Sequence, residues 1–331
     1  AMDLPPALRS AVEAALAGIS TDRLAGAAAL LSSRYRGEVR DGRFHVDGED
    51  AVLAYLAARL PATYAATRRA MRSAAEMLPD FQPASLLDLG AGPGTASFAA
   101  ADCWPSLASA TLCEGSASMR RAAERLAESD ALPRTVAAMD LTGRLPALAQ
   151  HDLVVIAYVL DEMEADQRQR LIEAAWNAAT GLLLIVEPGT PAGWQRILDA
   201  RASLLAAGAQ VAAPCPHEAP CPLLPPDWCH FAARLPRSRT HLRTKQASVP
   251  FEDEKFIYLA ASRTAPVSRD GRVLAPPRAG SGRVSLKLCE ADGRMRERLV
   301  TRREGDDFRV ARRLEWGDAL PLAVNRRDNS A

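Results

Sequence analysis

The chain has 331 residues, of which 48% are hydrophobic, and its formal net charge is +1. This apolar content is sufficient for a globular core and excludes a chain that is disordered throughout. No stretch has the roughly 18 consecutive apolar residues of a membrane-spanning helix, and a basic start followed by an apolar signal core is absent. We therefore expect a monomeric cytoplasmic protein with no membrane contact.

The charge is unevenly distributed along the chain. Residues 232–313 include 20 basic and 10 acidic side chains, whereas the rest of the chain has 21 and 30. A general preference for Arg explains why there is little Lys, but it does not explain the clustering. The pattern indicates a local contact with a polyanion such as RNA, for which Arg237, Arg239, Arg243 and Lys245 are candidate phosphate ligands.

Residues 1–80 are predicted to form a helical N-terminal subdomain. Apolar residues recur at three- and four-residue spacing over residues 8–17, 22–35 and 50–77. Pro61 is expected to interrupt the last of these helices, because proline removes a backbone donor from the helix interior.

From Ser85 onward, short apolar runs alternate with helical stretches. This alternation is typical of parallel strands joined by crossover helices, and it predicts an α/β core over residues 81–265 with a cysteine-rich insertion at about 209–245. The predicted core strands are residues 85–89, 110–114, 135–139, 152–158, 181–187 and 255–261.

Residues 266–331 are predicted to form a β-rich C-terminal extension. Candidate turns at Asp292-Gly293 and Glu304-Gly305 separate its apolar segments. The predicted strands of the extension are residues 284–288, 295–301 and 308–314.

A glycine-rich run follows the first core strand. Gly90, Ala91, Gly92 and Gly94 lie between that strand and a predicted helix, so the backbone can approach a ligand closely and offer it free amide groups. The spacing is GxGxG, and Asp88 lies just inside the strand end. Both details favour S-adenosylmethionine over a dinucleotide.

Polar residues follow the next strands at the same edge of the predicted sheet. Glu114 could accept hydrogen bonds from a ribose diol, and Asp140 could bind the adenine amino group, although a strand-end aspartate often caps a turn. Tyr158, Asp161 and Glu162 follow the fourth strand, near the expected sulfonium; the two acids could equally cap the next helix. These features resemble class I S-adenosylmethionine-dependent methyltransferases, whose core is Rossmann-like.

The methyl acceptor is not apparent. The segment after the fourth strand, Ile156-Ala157-Tyr158-Val159, lacks the Asn/Asp-Pro-Pro-aromatic element of amino-methylating enzymes and the Pro-Cys nucleophile of carbon-methylating ones. Tyr158, Asp161 and Glu162 are the candidate catalytic residues if the chain transfers a methyl group.

Four of the six cysteines form a candidate metal site: Cys215, Cys221, Cys229 and Cys289. Their intervals of 5, 7 and 59 residues differ from the paired knuckles of structural zinc sites, and a proline follows each of the first two, as at iron-sulfur ligands. Zinc stays open as the alternative, with His217 or His230 in place of one cysteine. We interpret Cys103 and Cys113 as ordinary core residues.

A succession of further motifs lies within residues 50–318: Pro214-Cys215-Pro216-His217, Cys221-Pro222-Leu223, Asp227-Trp228-Cys229-His230-Phe231, Glu252-Asp253-Glu254-Lys255-Phe256 and Trp316-Gly317-Asp318. Over residues 50–318 the chain resembles the mitochondrial small-ribosomal-subunit methyltransferase-like family and its bacterial relatives. The resemblance implies a methyltransferase fold, a [4Fe-4S] cluster on the four candidate cysteines, and association with the small ribosomal subunit and its rRNA during assembly.

Two alternatives from other classes are retained. The first is an active methyltransferase whose substrate is rRNA or a small molecule. The second is a zinc-stabilised protein or a sensor of redox state or iron.

Overall fold

The computed structural model describes residues 2–37, 48–236 and 251–321. Its first part is helical, as the sequence predicts. The helices pack on the same continuous apolar core as the sheet that follows them, through side chains such as Leu8, Val12 and Met71. They are α1 Pro6–Leu16, α2 Thr21–Gly37, α3 Glu49–Ala54 and α4 Leu60–Met77.

Pro61 does not break the helix that contains it. A π-helical turn, Tyr55–Arg59, joins α3 to α4, and Pro61 lies in the first turn of α4. Proline is tolerated there because a first-turn amide needs no intrahelical acceptor. Within the described ranges, no one helix has the length and apolar content to cross a membrane, although the bent pair Pro6–Leu16 and Thr21–Leu31 meets that test by length and composition alone.

A mixed sheet forms the centre of the structure, with strand order β3-β2-β1-β4-β5-β8-β6 and β7 also paired to β8. β1 to β5 run parallel, and β8 runs antiparallel to β5, β6 and β7. The strands are β1 Ser85–Leu89, β2 Ser109–Glu114, β3 Arg134–Ala138, β4 His151–Ala157, β5 Ala179–Pro188, β6 Gln210–Ala213, β7 Phe231–Pro236 and β8 Phe251–Ser262.

The middle strands are apolar along most of their length because helices cover the sheet. These helices are α5 Thr95–Cys103, α6 Ala117–Ala127, α7 Ala165–Ala178 and α8 Pro191–Ala206. Side-chain caps start two of them: Ser116 accepts from the amide of Met119, and Thr190 accepts from that of Gly193. The predicted Rossmann-like core of the class I methyltransferase type is confirmed.

The connections reverse direction at β1, whose neighbours are β2 and β4. In an open α/β sheet this arrangement leaves a crevice beyond the carboxyl ends of the strands. The cysteine-rich segment lies elsewhere, between β6 and β7, so the long strand β8 anchors the segment at both ends.

A small antiparallel sheet follows the core, with β10-β11-β12 in order and β9 paired to β11. It has an apolar cluster of its own, which includes Val284, Leu286 and Val300. We call residues 272–311 the C-terminal module. Its strands are β9 Arg272–Val273, β10 Arg278–Gly280, β11 Arg283–Cys289 and β12 Met295–Thr301.

The predicted strand at residues 308–314 is wrong, because α9 occupies Asp306–Ala311. Thr301 and Glu304 form a capping box on the preceding turn, and Asp306 and Asp307 carry negative charge in the first turn of α9. Phe308 and Ala311 lie three residues apart, on one helix face, and both are buried.

Candidate functional site

Three glycines after β1 have left-handed backbones, with φ of 77° at Gly90, 55° at Gly92 and 90° at Gly94. Glycine adopts these angles without the Cβ penalty of other residues. The amides of Gly90 and Ala91 both donate to the carbonyl oxygen of Cys113 on β2, at 2.8 and 2.9 Å. The neighbouring strand therefore fixes the loop's shape.

The glycines have different roles. A Cβ at Gly90 would lie 2.4 Å from Cγ2 of Val159, and one at Gly94 would lie 3.0 Å from Cδ1 of Leu112. A Cβ at Gly92 would meet only the tip of Met119, at 3.9 Å. Close packing within the protein therefore requires glycine at 90 and 94, whereas Gly92 has space beside it.

These glycines border a cleft at the carboxyl ends of β1, β2 and β4, where the sequence predicts a cofactor site. The cleft opens to solvent at its mouth. It is lined by the predicted residues Asp88, Gly90, Ala91, Gly92, Glu114, Tyr158 and Glu162, and also by Tyr55, Thr63, Met119, Met139 and Leu141.

Two carboxylates at this edge have different environments. Glu114 accepts hydrogen bonds from the amides of Gly92 and Ser116, each at 2.9 Å. Asp88 is buried, and its Oδ2 has no hydrogen-bond partner among the described residues. Burial, with a smaller contribution from Glu114, raises the pKa of Asp88 to about 8. At neutral pH, Asp88 is therefore largely protonated and can donate a hydrogen bond.

Asp140 lies outside the described lining of the cleft, and so does Gly94. The Asp140 carboxylate accepts from the amide of Thr142 at 2.9 Å and from its hydroxyl at 2.6 Å. These hydrogen bonds lower the pKa of Asp140. In this structure Asp140 caps a turn, and its role toward an adenine stays a prediction.

Tyr158 has a left-handed backbone with φ of 60°, which is unusual for a residue with a bulky side chain. Its hydroxyl donates to Oε1 of Glu254 at 3.3 Å. Glu254 also accepts two hydrogen bonds from the Arg59 guanidinium, at 2.8 and 3.1 Å. Burial, and then the nearby Glu254, raises the pKa of Tyr158 well above its usual value. The π-helical turn and β8 thus hold Tyr158 at the cleft wall.

The acids that follow Tyr158 are separated. Glu162 lines the cleft, whereas Asp161 is buried and lies outside the described lining. Asp161 lies near Glu187, which pairs with Arg196 at 2.5 Å. Burial, and then the charge of Asp161, raises the pKa of Glu187. Of these two candidates, Glu162 is the one that could contact a bound ligand.

The four candidate cysteines line a second, apolar cavity. They come from the segment between β6 and β7 and from the end of β11, and none forms a disulfide. Trp194, Leu223 and Leu259 supply much of the apolar wall. Residues far apart in sequence are therefore brought together at this point.

Alternation along β11 explains how Cys289 reaches this cavity. Val284, Leu286 and Leu288 pack in the apolar cluster of the C-terminal module. Lys287 and Cys289 project from the opposite face of the strand, because successive side chains alternate. The Lys287 ammonium contacts Asp227 at 2.6 Å.

Burial controls the protonation of these thiols. It raises the pKa of Cys289 to about 12, with further contributions from Cys215 and Cys221. The pKa of Cys229 is raised well above its usual value by burial and then by the other three cysteines. Without a bound cation, the thiols of Cys229 and Cys289 are therefore neutral at physiological pH.

His217 and His230 are the histidines nearest these cysteines in sequence. His217 lines the cavity, and burial lowers its pKa; the pKa of His230 is lowered for the same reason. Among the residues that the structure describes, no group of three or more His, Cys, Asp or Glu side chains is arranged to hold a metal ion.

Four residues near the two sites were missed by sequence reasoning. Arg201 and Arg272 line the cysteine cavity, and Arg59 and Glu254 hold Tyr158. Only Arg201 had a visible signal, since it continues the three- and four-residue spacing of the apolar face of α8. The pair Arg59 and Glu254 is 195 residues apart, and no local pattern connects the two.

The predicted phosphate ligands Arg237, Arg239, Arg243 and Lys245 lie outside the described residues. Other basic side chains of this region are described and exposed. No ion pair with another described residue involves Arg283, Arg302, Arg303, Arg312 or Arg313.

Solved structures with a similar fold are methyltransferases. An O-methyltransferase family protein from Burkholderia thailandensis is 14% identical, with a TM-score of 0.44, over 75% of this chain and 73% of that one. Magnesium protoporphyrin IX methyltransferase from Synechocystis PCC 6803, solved with bound S-adenosylmethionine, is 16% identical, with a TM-score of 0.40, over 72% and 97%.

Curated relatives are mitochondrial proteins. The human ribosome assembly protein METTL17 is 32% identical over 299 residues, which are 83% of this chain and 63% of that protein. The Rsm22-cox11 tandem protein 2 of Schizosaccharomyces pombe is 25% identical over 82% of this chain and 43% of its own length. The chain thus spans less than two thirds of either relative. The family model described as "Mitochondrial small ribosomal subunit Rsm22" matches residues 49–321, and the chain belongs to this family.

Proposed function

We propose that this chain is an S-adenosylmethionine-binding, methyltransferase-like protein that associates with the small ribosomal subunit during its assembly. The cleft beside Gly92 and Glu114 carries the first half of the proposal. The family match, together with a human relative described as a ribosome assembly protein, supports the second half.

In this proposal, Glu114 accepts hydrogen bonds from the ribose hydroxyls. Its two oxygens already bind the amides of Gly92 and Ser116, which orient the carboxylate and leave lone pairs for a diol. Asp88, protonated and without a partner at Oδ2, would offer a donor deeper in the cleft. Met119, Met139 and Leu141 would contact the adenine ring.

Calorimetric titration with S-adenosylmethionine tests the cleft. We expect Glu114→Gln to weaken binding by about tenfold, or about 1.4 kcal/mol, because a charged acceptor for the ribose is lost. Glu124→Gln is the matched control, since Glu124 lies on the exposed face of α6 and outside the described lining. Equal losses in the two variants, or no binding by the unaltered chain, would contradict the proposed site.

We also propose that the four cysteines hold a [4Fe-4S] cluster. Four free thiols around one apolar cavity form a donor set that fits the cluster, which Cys thiolates bind. Each thiolate would bind a different iron, so the ligands need to ring a volume and need not meet at a point. Zinc, whose ligands converge tetrahedrally on one ion, is the alternative.

Anaerobic purification followed by iron, sulfide and zinc analysis tests the metal assignment. We expect four irons and four sulfides per chain, with a brown colour. Stoichiometric zinc in a colourless protein would overturn the cluster assignment and support the zinc alternative. Retention of the metal by Cys103→Ser would exclude Cys103, which lies outside the cavity, as a ligand.

The exposed arginines of the C-terminal module are proposed contacts for rRNA phosphates. Arg302 and Arg303 are adjacent, and neither forms an ion pair with a described residue, so their charge is available to a polyanion. Co-sedimentation with small ribosomal subunits at graded salt tests the contact. We expect Arg302→Gln with Arg303→Gln to reduce binding and its salt dependence, and Arg309→Gln, which removes an arginine already paired with Asp306, to have less effect.

Methyl transfer is the second candidate function. It is favoured by Glu162 and Tyr158, which line the cleft where an acceptor would meet the sulfonium. Incubation of the chain with subunits and S-adenosylmethionine carrying a labelled methyl group tests it. Label in rRNA that disappears in Glu162→Gln would establish turnover.

A further inference from the structure

Two buried arginines face the cysteine cavity. Arg201 on α8 is 5% exposed, and Arg272 on β9 is 3% exposed. Arg201 donates from Nη2 to the carbonyl oxygen of His217 at 2.8 Å. Arg272 donates from Nε to that of Pro214 at 2.9 Å and from Nη1 to that of Gly317 at 3.1 Å.

Neither guanidinium has a carboxylate partner among the described residues, and the Nε of Arg201 has no acceptor there. The other buried arginines do have such a partner: Arg196 pairs with Glu187, and Arg69 pairs with Asp318. Burial of an unpaired charge is costly, so buried charges are normally compensated. No described carboxylate therefore compensates the positive charge of these two arginines.

We infer that Arg201 and Arg272 supply the counter-charge for a metal-thiolate centre on the four cysteines. This inference rests on the proposed cluster. Four thiolates and the doubly positive core of an oxidised [4Fe-4S] cluster leave a net charge of two minus, which two guanidiniums neutralise. Reduction by one electron adds a further negative charge, and nearby positive charge stabilises that state.

The arginines also position the segment that contains the first ligand. Their acceptors, the carbonyl oxygens of Pro214 and His217, lie on either side of Cys215 and Pro216. The two roles make different predictions for conservative variants. Lysine keeps the charge but loses the planar fork, whereas glutamine keeps some hydrogen bonding but removes the charge.

The experiment uses the full chain, purified anaerobically, with Arg201→Gln, Arg272→Gln and the corresponding Lys variants. Iron and sulfide are measured per chain, and the midpoint potential is measured by dithionite titration followed by electron paramagnetic resonance. We expect each Gln variant to lower the potential by at least about 59 mV, which is a tenfold change for a one-electron couple. The Lys variants should stay closer to the unaltered chain.

Arg196→Gln is the matched control, because Arg196 lies on the same helix as Arg201 and is also 5% exposed, but pairs with Glu187. It should leave the potential unchanged. If the Gln variants keep both the cluster and the original potential, the counter-charge inference is overturned, but the proposal of a cluster still holds. If the Gln variants lose the cluster, retention by the Lys variants supports the inference, and loss in both series overturns it in favour of a purely structural role.

Failure of the cluster proposal gives a different result. An unaltered chain that binds neither iron with sulfide nor zinc would overturn both proposals. A chain that binds zinc would overturn the iron-sulfur assignment alone. The counter-charge inference would then require the Gln variants to lower zinc affinity and the Lys variants to restore it, and unchanged affinity would overturn it.

Discussion

The glycine-loop cleft and the cysteine cavity differ in how the protein satisfies their polar groups. In the cleft, the loop amides bind the Cys113 carbonyl, and Glu114 accepts two backbone hydrogen bonds. In the cavity, one buried and three half-buried thiols face two guanidiniums that have no carboxylate partner among the described residues. The polar groups of the cleft are thus mostly paired within the protein, whereas the charges of the two cavity arginines are not.

The two regions also differ in which parts of the chain build them. The cleft lies where the ends of β1, β2 and β4 meet at one edge of the sheet, and these strands are associated with the glycine loop, Glu114 and Glu162 in turn. The cavity combines α8, the segment between β6 and β7, and β11 of the C-terminal module. The sheet and the N-terminal helices therefore shape the cleft together, whereas we propose that the cavity depends on the metal centre it binds.

Among the variants that test this difference between the cleft and the cavity, loss of a proposed cysteine ligand should have the largest effect. Cys229→Ser is expected to abolish the cluster, because the thiol lies among the other three cysteines and Ser is a poor ligand for iron. Hydrogen exchange should then increase in the C-terminal module, since binding free energy no longer holds the cavity together.

Cys113→Ser is the control for this prediction, because Cys113 is also buried but lies in β2. Its iron and sulfide content should equal that of the unaltered chain. Equal content in Cys229→Ser would show that the cavity does not bind the metal. Binding of S-adenosylmethionine should be preserved in Cys229→Ser if the two regions are as independent as their construction indicates.

The cleft should respond most strongly to Gly90→Ala. The new Cβ would lie 2.4 Å from Val159 at a φ of 77°, so the loop has to shift. We expect a loss of at least about tenfold in S-adenosylmethionine affinity, or about 1.4 kcal/mol, measured by calorimetry. The iron content should not change.

Gly18→Ala is the control that separates the effect of the Gly90→Ala clash with Val159 from the effect of a left-handed backbone. Gly18 has nearly the same φ, 78°, but a Cβ there meets nothing within 4 Å. Both variants should lose about 1–2 kcal/mol of unfolding free energy from the left-handed backbone. If Gly18→Ala weakened ligand binding as much as Gly90→Ala does, general destabilisation would account for both losses.

The fold of the core was predictable from sequence because its signals are local. Apolar strands buried on both faces differ visibly from helices with a three- and four-residue period, and β1 was predicted with its observed bounds. The error at residues 308–314 has a local cause as well. Phe308 and Val310 suggest a strand by alternation, but the capping box at Thr301 and Glu304 and the acidic first turn favour the helix.

The sites were predictable only in part. Glycine spacing and strand-end acids indicated the cleft, and cysteine spacing singled out the four thiols that line one cavity; their role as metal ligands stays a prediction. The partners of Tyr158 were not predictable, because Arg59 and Glu254 meet only after the sheet and the N-terminal helices pack together. The orientation of Asp140 was not predictable either, because the sequence does not show whether its carboxylate accepts from Thr142 or faces a ligand.

A smaller effect concerns the pH dependence of stability, through Asp88. Its pKa is raised by burial from 3.8 to about 8, so the folded state holds a proton that the unfolded chain releases above pH 3.8. This contribution to the unfolding free energy is complete below pH 3.8 and is lost as the pH rises toward about 8. Urea unfolding at several pH values should show the decline, and Asp88→Asn should reduce its slope.

Glu187→Gln is measured beside Asp88→Asn, because the pKa of Glu187 is raised in the same direction. Each variant should remove part of the slope. An unchanged slope in Asp88→Asn would mean that its carboxyl ionises in the folded protein at the usual pH. The cleft would then present a charge, where we expect a hydrogen-bond donor.

The smallest effect is expected at the ion pair between Lys287 and Asp227, which joins the C-terminal module to the cysteine-rich segment beside the cavity. Both side chains are partly exposed, so Lys287→Gln should cost less than about 1 kcal/mol, as measured by a double-mutant cycle with Asp227→Asn. Iron and sulfide content should be unchanged, because Lys287 is neither a proposed cluster ligand nor one of the two arginines proposed as its counter-charge. Release of the proposed cluster in Lys287→Gln would instead show that a surface ion pair keeps Cys289 in place. The cavity would then depend on contacts within the protein, as the cleft does, and the proposed difference between the two regions would be wrong.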